Sequence, residues 1–177
     1  MKKIIALTLL TIMLVGCSNT TEKFVGSRDT ANFSCNIQEY ETVQELNNGS
    51  ELIVCGTVGD ITEVSENFNG EILYASKISF AVSEVLKGDI NTNSIFVLQT
   101  GKPNSDNYET KLKSGKEYIL YLNSKTFEGE TVYDCTGIEQ GIFEIKENGQ
   151  VYSYVDFGIS RTFDNKSIDA LKSTVTK

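Results

Sequence analysis

Two neighbouring stretches decide the fold: ELIVCGTVGDITEV at 51–64 and EILYASKISFAVSEVLKG at 71–88. Both are rich in β-branched residues, the second also carries aromatics, and apolar side chains alternate along them, as in strands that turn one face to a core. Leu52, Val54, Gly56 and Val58 share one face of the first, which begins as a near-continuous apolar run. Ile72, Tyr74, Ile78, Phe80 and Val82 share one face of the second, and Asn67 to Gly70 between them reads as a turn. Gly56 and Gly59 predict a bulge or sharp bend, and the slipped alternation at Glu84-Val85-Leu86 predicts another. Long strands that bend at bulges and glycines curl into a closed or nearly closed barrel rather than a flat sheet.

Working outward, SIFVLQT (94–100) and KEYILYLNS (116–124) read as the third and fourth strands. The polar loop between them, GKPNSDNYETKLKSG (101–115), holds the only proline. ETVYDCTGI (130–138) is a short fifth segment. QGIFEIKENGQVYSYV (140–155) reads as a hairpin, because Asn148-Gly149 between alternating runs favours a type I′ turn. Upstream, QEYETVQELN (38–47) predicts a short helix with Tyr40, Val43 and Leu46 as its stripe, stopped by Asn47-Asn48-Gly49. Downstream, DNKSIDALKSTVTK (164–177) predicts a C-terminal helix capped by Ser167 or Asp164, with Ile168, Leu171 and Val175 turned inward. The expected fold is mainly β: a small OB-like β-barrel with a short N-terminal helix and a C-terminal helix.

The chain opens MKKIIALTLLTIMLVGC. Lys2 and Lys3 precede an apolar run from Ile4 to Val15, broken only by threonines. The run falls short of the roughly 20 apolar residues that span a bilayer, and it has the proportions of a secretory signal. Leu14-Val15-Gly16-Cys17 resembles the bacterial lipobox. That resemblance implies a diacylglyceryl group on the Cys17 sulfur and cleavage before it. One acyl chain holds a protein only marginally, and two on one sulfur meet the requirement for stable anchoring. The expected divisions are a lipoprotein signal peptide at 1–16, the lipidated cysteine and a flexible tether at 17–35, and the barrel domain at 36–177. SNTTEKFVGSRDTANFS (18–34) is polar and aperiodic, and a coil of that length reaches roughly 20–25 Å. The resemblance places the domain on the extracytoplasmic face of the cell membrane. A composition rich in Lys, Asn, Thr and Ile points to a low-GC Gram-positive source.

Sixteen Lys+Arg stand against 24 Asp+Glu, a net charge of −8. Removal of residues 1–16, with Lys2 and Lys3, leaves −10. Such a surface repels phosphate backbones, so nucleic acid is not an expected partner. The chain has no histidine, which excludes Ser-His-Asp and Cys-His catalysis and histidine zinc sites. Neither GxGxxG nor GxxxxGK[ST] occurs. The carboxylate pairs Glu63/Glu66 and Glu128/Glu130 read as solvated faces, and Asp106 and Glu109 lie in a loop without EF-hand spacing. No catalytic residue, metal ligand or cofactor is predicted. Tyr118 and Tyr121, with Tyr152 and Tyr154, are candidates for an aromatic ligand face, although one tyrosine of each pair is expected in the core.

Beyond Cys17, the cysteines are Cys35, Cys55 and Cys135. One disulfide plus one buried thiol is the simplest arrangement in an exported chain, and three isolated thiols is the other reading. A Cys35–Cys135 bridge would close a loop of about 100 residues, for about 4–5 kcal/mol in the chain-entropy model. A Cys55–Cys135 bridge is equally permitted, so the pairing stays open.

Four pieces together resemble small secreted bacterial domains of netrin/TIMP-like (NTR) architecture, an OB-type barrel flanked by helices. They are VQEL (43–46) with ELIVCGTV (51–58), VSEVLKGD (82–89), LKSGKEYILYL (112–122) and QGIFEI (140–145). The resemblance spans roughly residues 40–155. Eukaryotic relatives inhibit metalloproteases or bind extracellular partners, and the inhibitors place a free N-terminal cysteine on the protease zinc. Here Cys17 would carry lipid, and Cys35 is not an N-terminus, so that role does not carry over. The expected function is therefore a non-enzymatic binding module at the membrane, with a protein or cell-wall component as partner. A TIMP-like inhibitor of extracellular proteases is the alternative, and a carboxylate-based hydrolase the more distant one.

Overall fold

The computed structural model describes residues 38–68, 71–103, 112–155 and 158–175. The expected signal, tether, Cys17 and Cys35, and the loop residues Asp106 and Glu109, lie outside the described residues.

The described chain is mainly β. In order it forms α1 (Val43–Asn48), β1 (Leu52–Phe68), β2 (Glu71–Lys87), β3 (Ser94–Thr100), β4 (Glu117–Phe127), β5 (Glu130–Cys135), β6 (Ile142–Ile145), β7 (Val151–Ser153), α2 (Gly158–Phe163) and α3 (Ile168–Lys172). The strands pair in the order β1-β2-β3-β5-β4, and β4 pairs back onto β1, closing a ring of five strands. All pairings are antiparallel except β3–β5, which is parallel at Val97–Tyr133 and Leu98–Asp134. Opposite β1, strand β4 divides its other edge, giving Leu122–Phe127 to β5 and Glu117–Leu120 to β6. The hairpin β6–β7 continues the sheet from there.

β1 and β4 are buried on both faces, which explains the near-continuous apolar run at Leu52–Cys55. Leu52, Val54 and Val58 meet Tyr118, Leu120 and Leu122 inside the ring, with Ile78 and Phe80 of β2. Ile53, Cys55, Ile119 and Tyr121 point the other way, into a second core with Leu46, Phe143, Ile159, Phe163 and Leu171. That core glues the helices to the ring. Each such apolar side chain contributes about 1.5–3 kcal/mol on burial.

The bends fall where the sequence places them. Between β1 and β2 the register shifts at Ile53/Val54, Cys55/Gly56 and Val58/Ile61. The first two shifts leave Leu86 and Ser83 as extra residues on β2, at the slipped alternation.

The helices differ from expectation at their boundaries. Thr42 is extended (φ −128°, ψ 151°) and caps α1. Glu45 N–H donates to Thr42 Oγ1 at 3.2 Å, and Thr42 N–H to Glu45 Oε2 at 3.1 Å, a reciprocal capping box. The helix therefore starts at Val43, and Tyr40 precedes it, although Tyr40 still packs in the second core. The C-terminal helix expected over 164–177 is shorter, beginning at Ile168 behind Ser167, one of its two expected caps. Val151 N–H donates to Lys166 O, and Asn165 N–H to Val151 O, each at 2.8 Å. These long-range bonds draw 164–166 onto β7, and Ser167 then caps α3 by accepting from Ala170 N–H at 3.2 Å. α2 carried no capping signal in the sequence.

Candidate functional site

A cluster of ionisable side chains lies where β4, β6 and β7 run side by side. Glu144 stands opposite Tyr118 on one side and Tyr152 on the other. Lys113 N–H donates to the Tyr118 hydroxyl at 3.0 Å, and the Tyr118 and Tyr154 hydroxyls are hydrogen-bonded. Tyr154 donates to Glu144 Oε2 at 2.6 Å, and Lys146 Nζ holds Oε1 at 2.8 Å. Tyr152 packs edge-on to Tyr154, ring centroids 5.2 Å apart, and Lys146 Nζ lies 4.7 Å from the Tyr152 ring centre. Burial works against the Glu144 carboxylate, but the bonds from Lys146 and Tyr154 outweigh it and hold its carboxyl below the ordinary glutamate range. Burial and the neighbouring carboxylate push Tyr154 upward. With both oxygens engaged, Glu144 is an acceptor held in place, not a base free to take a proton.

A carboxyl with a lowered folded pKa adds stability above its unfolded pKa and loses it as pH falls through the folded value. Acid unfolding of the protein should therefore steepen below about pH 4.5. Glu144→Gln should flatten that limb, and thermal melts between pH 3 and 6 measure the difference. Equal pH slopes for both proteins would remove Glu144 from the account.

The other candidates do not assemble into a site. Tyr118 and Tyr121 are both fully buried, on opposite faces of β4, and Tyr121 meets Phe143 edge-on at 5.8 Å. The expected aromatic face thus reduces to Tyr152, the exposed member of its pair. Cys55 and Cys135 are free thiols in different cores. Cys55 lies opposite Ile119, and Cys135 opposite Leu122 across the far edge of β4. Two strand spacings, about 10 Å, separate them, beyond the roughly 7 Å a bridge tolerates. No Cys55–Cys135 bridge forms. Burial pushes the Cys55 thiol up to about 11 and raises Cys135 as well. Neither should react with a thiol reagent at neutral pH until the chain unfolds. Labelling with and without urea, read by intact mass, checks this, and fast native labelling at either position would refute it.

One carboxylate of each pair faces a lysine. Glu130 is tied to Lys77 at 2.7 Å, and Glu63 faces Lys102 at 3.9 Å. Among the described residues, no group of three or more acidic or cysteine side chains is placed to hold a metal ion. An open cleft of about 490 Å³ lies beside α1, lined by Tyr40, Glu39, Glu41 and Glu45 among others. Glu45 there is committed to the helix cap.

Sequence reasoning missed Gln140. Its side chain is fully buried. Its Oε1 accepts Tyr40 N–H at 2.9 Å, and its Nε2 donates to Gln38 O at 3.1 Å and Gly137 O at 3.4 Å. The available signal was a polar residue set between Gly137 and Gly141 at the mouth of an apolar strand.

The exposed apolar side chains concentrate on β2 and β3. β3 covers β2 only over Ala75–Ala81, so the β1–β2 ribbon runs on past the ring. There Ile72 is 58% exposed and Tyr74 36%, on the face where Ile78 and Phe80 are fully buried. Lys102 Nζ lies 3.6 Å from the Tyr74 ring centre, and Lys77 Nζ 4.3 Å from that of Phe96.

No family model matches the chain, and no curated protein matches it.

Proposed function

We propose that the chain is a membrane-tethered, non-enzymatic binding module whose ring of strands is an OB-type barrel of netrin/TIMP-like architecture. The strand order β1-β2-β3-β5-β4-β1 with a parallel β3–β5 pair supports the barrel reading. The basic start, short apolar run and Leu14–Cys17 lipobox support the tether. The observation that carries the binding reading is the β1–β2 ribbon. On β2 the face that carries Ile78 and Phe80 runs on past the buried Ser76 to the exposed Tyr74 and Ile72. Exposed apolar surface that continues an ordered strand face marks an interaction site.

The experiment is in-cell crosslinking of the full-length protein, followed by mass spectrometry of the captured material. Cys17→Ala, which cannot be lipidated, is the control. A partner captured by the wild type and lost with the Cys17→Ala chain is the expected result. Recovery of nothing beyond abundant membrane proteins would overturn the reading.

A further inference from the structure

We infer that the outer edge of β1, from Ile61 to Asn67, receives an extended, lysine- or arginine-bearing segment of a partner protein as an added strand. This deepens the binding reading above and depends on it. The edge is defined by where pairing stops. β4 pairs with β1 only through Leu52–Thr57, and Val58 completes that seam. Val58 N–H donates to Lys116 O at 3.0 Å, and its carbonyl accepts Gly115 N–H at 2.8 Å. On the opposite edge, pairing with β2 continues to Phe68–Glu71. Among the described residues, no strand pairs with the other edge of β1 past Val58. Backbone groups alternate direction with the side chains in an antiparallel ladder. Val58 faces the ring interior and turns its N–H and C=O outward. Past the bulge, Ile61, Glu63 and Ser65 take the equivalent places opposite Ile78, Ser76 and Tyr74. Their backbone groups turn to the open edge, a template for an incoming strand.

Charge chooses the occupant. Residues 59–68, GDITEVSENF, carry Asp60, Glu63 and Glu66 and no lysine or arginine. One cation, Lys102, approaches Glu63, at 3.9 Å. A second copy of the chain would set this acidic edge against itself, and like charges facing across strands are destabilising. The bulge between Val58 and Ile61 further discourages self-pairing. A basic strand meets the opposite situation, and a chain of net charge −8 draws it in. Side-chain space fits as well. Ser65 stands opposite Tyr74, so a small polar residue separates the open edge from that exposed ring. Apolar residues at alternate places in the incoming strand would lie on the same face as that ring.

The test uses the full-length lipidated chain in detergent and a fluorescent nine-residue peptide alternating lysine and valine. Its glutamate counterpart is the control. The variant is Ser65→Pro, which leaves every carboxylate in place and removes one outward N–H. Proline is tolerated on a strand edge that faces solvent, and an unchanged melting temperature verifies the fold. The lysine peptide should slow amide exchange across 59–68, and Ser65→Pro should weaken its binding about tenfold or more. Equal binding to Ser65→Pro, equal binding of the glutamate peptide, or unslowed exchange across 59–68 would each overturn the proposal. So would protection of 59–68 that grows with protein concentration alone, which would make the edge a contact between copies. In the crosslinking experiment, a partner captured equally by Ser65→Pro and wild type would sink the edge while sparing the binding reading. Capture of no partner by either would sink the binding reading itself.

Discussion

Gly56→Ala should destabilise the protein by about 3 kcal/mol or more, read as a lower urea midpoint with an unchanged slope. Gly56 sits in the part of β1 that pairs with β2 on one edge and β4 on the other, at one of the register shifts. A Cβ built there would stand 2.2 Å from the Ala81 carbonyl oxygen and 2.6 Å from Phe80 Cε1. The first contact is with backbone. Ala81 is held on one side by Thr57 and on the other by Ser94, so it has no direction in which to yield. The ring cannot close tightly at this corner with any side chain in place. Gly59→Ala is the internal comparison. Its Cβ would meet the Ser79 hydroxyl at 2.5 Å, and a hydroxyl can rotate away. That rotation gives up the bond from Asp60 N–H, 2.8 Å in length, so the cost should be about 1 kcal/mol. Equal losses for the two variants would mean that close strand approach at Gly56 is not what the ring requires.

The strands were legible because their causes are local. Period-two alternation identified β1 and β2, and short apolar runs identified β3 and β4. Asn148-Gly149 identified the hairpin, although only Gly149 takes a positive φ (75°), so its turn is not the expected type I′. The glycines and the slip at Glu84–Leu86 located the bends, because a bulge must place an extra residue somewhere and the pattern records it. The doubly buried face of β1 was visible as an unbroken apolar run, but the partner of its second face was not. That face is covered by helices brought from both ends of the chain. What failed depended on contacts distant in sequence. The expected C-terminal helix starts only at Ile168, because Lys166 and Asn165 pair with Val151, and no propensity at 164–166 encodes a partner that far upstream. The tyrosines misled for a related reason. Tyr118 and Tyr121 are an odd number of residues apart in a strand and so face opposite ways, and both faces of β4 are core. Glu144 sits within the apolar run IFEI. Its role became readable only once folding had brought Lys146 and Tyr154 to its two oxygens.

Gln140→Leu should cost about 3 kcal/mol and expose the segment around residues 38–42 to proteases. Leucine keeps the volume but removes one acceptor and two donors. The Tyr40 N–H, bonded only to Gln140 Oε1 in the described structure, would be left buried without a partner, at about 1–3 kcal/mol. The Gln38 and Gly137 carbonyls would lose their bonds as well. Damage should spread beyond the site, because Tyr40 is a junction. Its carbonyl accepts Ile159 N–H at 3.0 Å, and its ring packs in the helix-side core with Leu46 and Phe163. Releasing Tyr40 therefore loosens α2 and the end of α1 together. The check is a urea titration paired with limited proteolysis, followed by mass spectrometry of the fragments. A lower midpoint with unchanged cleavage would mean that Gln140 supports the loop 136–141 alone. A faster cut near residue 40 would identify Gln140 as the fastening by which the domain holds the chain that leads into it. Gln140 would then decide how firmly the domain holds the segment that precedes α1.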